Sequence, residues 1–104
     1  DDGLNDVRVV ATRIDAAVAI QFKDRMREAA AALDGRVVLD LQQVDFIDSS
    51  GLGAIVAAMK LMPPGRKLEL AGLTAAVDKV FRMTRMDTIF AIHDSVASAR
   101  AAHA

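Results

Sequence analysis

The chain contains no cysteine, no tryptophan and no tyrosine. Without cysteine there is no disulfide, no thiolate metal ligand and no thiol nucleophile, and the composition fits a reducing compartment. Aromatic residues make up only 4% of the sequence, too few for a base-stacking platform or a carbohydrate-binding face. Charge of one sign is lacking as well. The 13 basic and 14 acidic residues leave a formal net charge of −1, and no basic stripe marks a nucleic-acid partner. No apolar run approaches the length of a membrane span, which argues against direct membrane insertion. The opening segment, Asp1-Asp2-Gly3-Leu4-Asn5-Asp6, is acidic and polar, the reverse of a secretory leader. A cytoplasmic location is therefore expected, while a first residue other than Met leaves open where the natural N-terminus lies.

What is present is a globular pattern. Apolar residues account for 53% and charged residues for 26% of 104 residues, the length and balance of one domain over 1–104. Residues 1–6 and 103–104 are expected to be flexible ends. Val7 to Ile14 is rich in β-branched residues and reads as a strand. From Ala17 to Leu33, Val18, Phe22, Met26, Ala29, Ala30 and Leu33 recur at helical spacing, and Asp34-Gly35 supplies a stop. Val37 to Leu41 is a short apolar run of the kind found in buried parallel strands. Ser49 to Met62 reads as a second helix that Pro63-Pro64-Gly65 terminates.

Leu52, Ile55, Val56 and Met59 form the expected buried stripe of that helix, with Gly53, Ala54, Ala57 and Ala58 at least partly outward. Lys67 to Ala71 is a third strand. Thr74 opens a third helix with Val77, Val80, Phe81 and Met83 or Thr84 inward. Ile89 to Ile92 is a fourth strand, and Ser95 to about Ala102 a final helix. Such alternation predicts an α/β fold with a largely parallel or mixed sheet.

The stretch with most chemical content is Asp48-Ser49-Ser50-Gly51-Leu52-Gly53. It stands where a helix begins after a central strand, so free backbone N–H groups and the positive end of a helix dipole collect there. A purely structural account serves equally: Asp48, Ser49 or Ser50 caps the helix and the glycines allow close packing. Enzymatic readings fail on their neighbours. No Gly-x-Ser-x-Gly elbow surrounds either serine, and no phosphate-loop string exists. His93 reads as a strand-end surface residue and His103 as part of a frayed tail, so no general base is evident. Asp40, Asp45 and Asp48 lack the spacing of a metal site and read as turn and cap residues. No cofactor or metal is expected.

Val37-Val38-Leu39-Asp40-Leu41, followed by Val44-Asp45-Phe46-Ile47-Asp48-Ser49-Ser50-Gly51-Leu52-Gly53, resembles the signature of STAS domains, most of all the bacterial anti-sigma-factor antagonists. Arg13-Ile14-Asp15-Ala16-Ala17 is similar to the family's first strand-to-helix turn. Ala75 to Ile92 is similar to its closing helix and strand. The resemblance implies an α/β sandwich with a mixed, mostly parallel sheet of about four to five strands and about four helices. Three positions depart from the family pattern. Val18 stands where Thr or Ser is common, and Thr84-Arg85-Met86 where a small residue such as Gly is common. The strand that often precedes the one at Val7 is absent or very short.

The resemblance also implies a function without catalysis: phosphorylation-controlled partner switching. Ser49, directly after Asp48, maps onto the phosphorylated position, and Ser50 is the second choice. Asp15 maps to an acidic residue near that serine, and Asp48, Gly51, Leu52 and Gly53 surround it. The implied partners are a GHKL-type serine kinase that is also the anti-sigma factor, and a metal-dependent serine phosphatase, with a homodimer left open. A phosphate would add roughly −1.5 to −2 charges where a helix dipole tolerates them. Binding would then change more than stability. Two other readings stay open. One is a non-switching STAS module, either a stressosome scaffold subunit or the cytoplasmic tail of an anion transporter. The other is a small-molecule binder, for a nucleotide or lipid, at the exposed helix start.

Overall fold

The computed structural model describes residues 4–63 and 68–103. Strands β1 (Leu4–Arg8), β3 (Arg36–Asp40), β5 (Leu68–Ala71) and β6 (Ala91–His93) form a sheet in the order β1-β3-β5-β6, every described pair parallel. A second, two-stranded parallel sheet joins β2 (Arg13–Ile14) to β4 (Phe46–Ile47). Helices α1 (Ala16–Ala32), α2 (Ser49–Lys60), α3 (Ala75–Met83) and α4 (Val96–His103) complete the fold, with a short 3₁₀ turn at Met86–Thr88. The expected four helices and mostly parallel sheet are present. Of the expected helix stop Pro63-Pro64-Gly65, residues 64 and 65 lie outside the described residues, as does Lys67, the expected first residue of the third strand.

Each step from β1 to β3 to β5 to β6 moves one way across the sheet through a helical crossover. Connections of one hand stack the crossover helices on one face. Alternation along the strands then divides the interior in two. Val37, Leu39, Leu68 and Leu70 meet Met26, Ile55, Val77 and Phe81 in the main core, while Leu4, Val38 and Ala71 meet Ala99 of α4 on the opposite face. That second face also carries charge. Arg36 reaches both Glu69 oxygens at 2.8 and 2.6 Å and the Ala99 carbonyl at 2.9 Å, and His93 Nε2 lies 2.8 Å from Glu69 Oε1. The Arg36 hydrogen bonds hold the Glu69 carboxyl below the ordinary carboxylate range. The stability this contributes is complete above that range and is lost as pH falls through the lowered value.

Several expectations are corrected. Val7–Ile14 is not one strand: β1 ends at Arg8 and β2 begins at Arg13. Val9 N–H still donates to the Asp40 carbonyl at 3.0 Å, and the chain then leaves the sheet to join β4. Leu4–Asp6 are not a flexible lead but part of β1, in register with Arg36–Val38. Residues 1–3 lie outside the described residues, whereas His103 is the last residue of α4. His93 ends β6 as expected, but it is half-buried against Glu69. In α3, Met83 is 74% exposed and the Thr84 hydroxyl donates back to the Val80 carbonyl at 2.7 Å, so the inner face ends at Phe81. The fourth strand starts at Ala91, because the 3₁₀ turn takes Ile89 as its cap and turns it outward. Phe90 packs edge-on against Phe81, centroids 5.9 Å apart.

Helix α2 is rotated from the expected stripe. Gly51, Ala54, Ile55 and Ala58 are buried, and Leu52, Val56 and Met59 only partly so. The cause is packing on two sides. Ile55 faces the sheet, while the small residues let α2 lie close to the α1 layer and to β2.

Candidate functional site

Pairing of β2 with β4 sets two strand–helix junctions side by side. Arg13 is registered with Phe46 and Ile14 with Ile47, and the Asp48 N–H donates to the Ile14 carbonyl at 3.3 Å. One step past the last registered pair, each chain turns into a helix at an aspartate.

Asp15 caps α1, its Oδ1 accepting from the Ala17 N–H at 3.1 Å. Asp48 caps α2, its Oδ1 accepting from the Gly51 N–H at 2.8 Å. Both are extended residues whose carboxylates satisfy orphan N–H groups and complement the helix dipole. The cap was one of three assignments the sequence left open. Asp48 fills it, so neither serine does.

Ser49 and Ser50 are therefore the first two residues of α2, and both are exposed. Among the described residues neither hydroxyl has a hydrogen-bond partner within the chain. Leu52 is half-buried and packs against the main core.

The two glycines differ. At Gly51 an added Cβ would sit 1.9 Å from the Ile14 carbonyl oxygen, so only glycine lets α2 start against β2. At Gly53 nothing lies within 4 Å of such a Cβ, and the residue is exposed. Gly53 thus leaves a bare patch of helix backbone one turn beyond Ser49.

Sequence reasoning placed Asp15, Asp48, Ser49, Ser50, Gly51, Leu52 and Gly53 together, and all of them lie on these two junctions. It did not single out Arg13 and Phe46. The Arg13 guanidinium lies 4.2 Å from the centroid of the Phe46 ring, and its Nε is 3.3 Å from Asp15 Oδ2. A signal existed in the matched order of Arg13-Ile14-Asp15 and Phe46-Ile47-Asp48, which two parallel strands would pair. Val18, where a polar residue is common, is half-buried against the main core instead.

The Asp40 carboxylate, 1% exposed, accepts from the Gln42 N–H at 3.1 Å and from Gln42 Nε2 at 2.8 Å, with Arg8 Nε at 3.5 Å. Among the described residues no cluster of three or more His, Asp or Glu could hold a metal ion. Two surface cavities have volumes of about 270 and 420 Å³, and neither draws a lining residue from Asp48–Gly53. No described helix is long and apolar enough to cross a membrane.

Comparison with known proteins agrees with this architecture. A curated relative from Listeria monocytogenes, an anti-sigma-B factor antagonist, is 35% identical over 85 residues. The match covers 80% of this chain and 74% of the relative. The crystal structure of an anti-sigma factor antagonist from Mycobacterium paratuberculosis superimposes with a TM-score of 0.86 at 22% identity, covering 98% of this chain and 86% of that one. The phosphorylated form of the Bacillus cell fate determinant SpoIIAA shares the fold at a TM-score of 0.61 and 18% identity, covering 88% and 84%. The model of the STAS domain matches residues 5–99, and this chain is a member of the STAS domain family.

Proposed function

We propose that this protein is an anti-sigma-factor antagonist that switches partners through phosphorylation of Ser49. In its unmodified form the surface around Ser49, Ser50, Leu52 and Gly53, with Asp15 and Asp48 beside it, docks a GHKL-type serine kinase that is also the anti-sigma factor. Docking frees the sigma factor. The kinase then transfers the γ-phosphoryl group of ATP to Ser49 Oγ. The new O–P bond forms as the bond to the ADP leaving group breaks, and the hydroxyl proton passes to a base on the kinase. A metal-dependent phosphatase reverses the state by directing water at the phosphorus, which returns serine and inorganic phosphate.

The observation that carries this reading is the exposed Ser49 hydroxyl at the first position of α2, with capping assigned to Asp48. A serine that capped the helix could not be modified without loss of the cap. Here the fold gives up nothing when Oγ is esterified. A phosphate at a helix N-terminus is also favoured by the dipole and by nearby N–H groups. Binding therefore changes strongly while the fold persists, as a reversible switch requires. The name of the Listeria relative and the existence of SpoIIAA in a phosphorylated form support the same reading. Ser50 is equally exposed, and the preference for Ser49 rests on its place directly after Asp48 in the family pattern.

Incubation with the kinase and ATP, followed by mass spectrometry of the wild type, Ser49→Ala and Ser50→Ala, tests it. The expected result is one phosphate, on Ser49, lost only in Ser49→Ala and weakening the kinase complex. No phosphate on either serine, with the kinase active on a control substrate, would overturn it.

A further inference from the structure

We infer that Arg13 receives the phosphate. On modification of Ser49 its guanidinium leaves Phe46 and Asp15, pairs with the phosphoryl oxygens and uncovers the Phe46 ring. This rests on Ser49 being the modified residue, as proposed above, and adds a second component to the signal.

Arg13 is the only basic residue in either junction, residues 13–18 and 45–50. It is registered with Phe46 on the β2–β4 seam, and that seam leads within three residues to Ser49. The seam cannot open without loss of the Asp48–Ile14 backbone bond and the close seating of Gly51 on the Ile14 carbonyl. The backbones that carry the arginine and the serine are therefore fixed side by side across the two junctions.

The present partners of Arg13 hold it weakly. Its side chain is 59% exposed, its ion pair with Asp15 is a single contact at 3.3 Å, and its stack on Phe46 is open to solvent. Exposed pairs of both kinds are individually small. A phosphate monoester offers nearly two charges and three acceptor oxygens, and the guanidinium fork matches that geometry. The other charged groups on the two junctions are Asp15, Asp45 and Asp48, all acidic. Arg13 is thus the one cationic side chain on the two junctions that can pair with the phosphate.

Its transfer changes three things at once. The phosphate is partly neutralised, Asp15 loses its cation, and Phe46, already 41% exposed beneath the guanidinium, presents a bare aromatic face. The phosphorylated protein then differs from the free one in shape and polarity as well as charge, which gives a phosphatase a distinct surface to recognise.

The test uses phosphoserine incorporated at position 49 of the full chain during translation, in the wild type and in Arg13→Gln. In the wild type the ³¹P resonance should titrate at lower pH than in Arg13→Gln, because a neighbouring cation favours the dianion. The Arg13 side-chain protons should be shifted upfield by the Phe46 ring in the unmodified protein and should return towards ordinary positions in the phosphorylated one. Amide spectra of both proteins report that the fold is intact. Equal phosphate titration in the two proteins, with Arg13 still upfield-shifted, would overturn the inference. Because no kinase is used, absence of kinase-made phosphate on Ser49 sinks the switching reading alone and leaves this result legible.

Discussion

The junctions β2–Asp15–α1 and β4–Asp48–α2 follow one plan as far as the cap. Each has a two-residue strand ending in isoleucine, then an aspartate whose carboxylate closes the first turn. Beyond the cap they part. Helix α1 continues Ala16-Ala17-Val18, and α2 continues Ser49-Ser50-Gly51. Val18 joins the main core, whereas Gly51 abuts the backbone of the other junction. The shared elements build the seam; the elements peculiar to α2 bring two hydroxyls to the surface and seat the helix tightly enough to hold them still. Scaffold and site are thereby separated within a few residues.

The largest effect expected from breaking this comparison is at Gly51. Alanine there drives Cβ into the Ile14 carbonyl at 1.9 Å, a backbone atom that cannot yield without unseating β2. Gly51→Ala should cost about 3 kcal/mol or more, read from denaturant unfolding, and it extends to failure to fold. Gly53→Ala is its counterpart. With open space around it, it should raise stability by about 0.5–1 kcal/mol through helix propensity. If the two substitutions destabilise equally, the seating of α2 on β2 is wrong.

Next in size are the caps themselves. Asp48→Ala should cost about 1–2 kcal/mol and Asp15→Ala about 0.5–1 kcal/mol. The Asp48 bond is shorter, 2.8 against 3.1 Å, and Asp48 caps the more deeply seated helix. Asn at either position should recover most of the loss. Thermal unfolding of the four variants would rank them; a larger loss at Asp15 would mean that α1, not α2, organises this end of the molecule.

Glycine also matters where it is missing. Arg85, after α3, adopts φ 61° and ψ 22°, the left-handed region, within the stretch Thr84-Arg85-Met86 where the family resemblance implies a small residue. Gly51 is required by space, but position 85 asks for glycine through its dihedral angle. Arg85→Gly should therefore stabilise the protein by about 0.5–1 kcal/mol, measured as a rise in unfolding midpoint. A loss instead would show that the arginine side chain holds the turn.

Sequence patterning located the elements whose signal is local. Helix α1 and strand β3 fall within one residue of their expected bounds, because amphipathic spacing and a β-branched run each carry their own periodicity. The candidate-site string stands out for the same reason, as a contiguous motif. What escaped is long-range. The run Val7–Ile14 contains no glycine or proline, and its division comes from β2 leaving the sheet for β4. The face of α2 is set by its neighbours, which bury Ala54 and Ala58 in place of Leu52 and Met59. His93 finds Glu69 across 24 residues and Arg13 finds Phe46 across the seam. No window along the chain holds both partners.

The smallest expected change in stability carries the greatest functional weight. Ser49→Ala removes an exposed hydroxyl with no partner among the described residues and substitutes the best helix former, so stability should move by less than about 0.5 kcal/mol. Phosphorylation should nonetheless vanish. The reciprocal variant, Ala16→Ser, places a serine directly after Asp15 at the first position of α1, on an equally exposed site. If a capped helix start were all the kinase reads, this serine would be phosphorylated too. The expected outcome is that it is not, since α1 has Ala17, Val18 and the exposed Ile20 where α2 has Ser50, Gly51 and Gly53. Lack of label on Ala16→Ser, with Ser49 still modified, would locate recognition in the bare backbone of α2. Label on both would return it to the plan that the two junctions share.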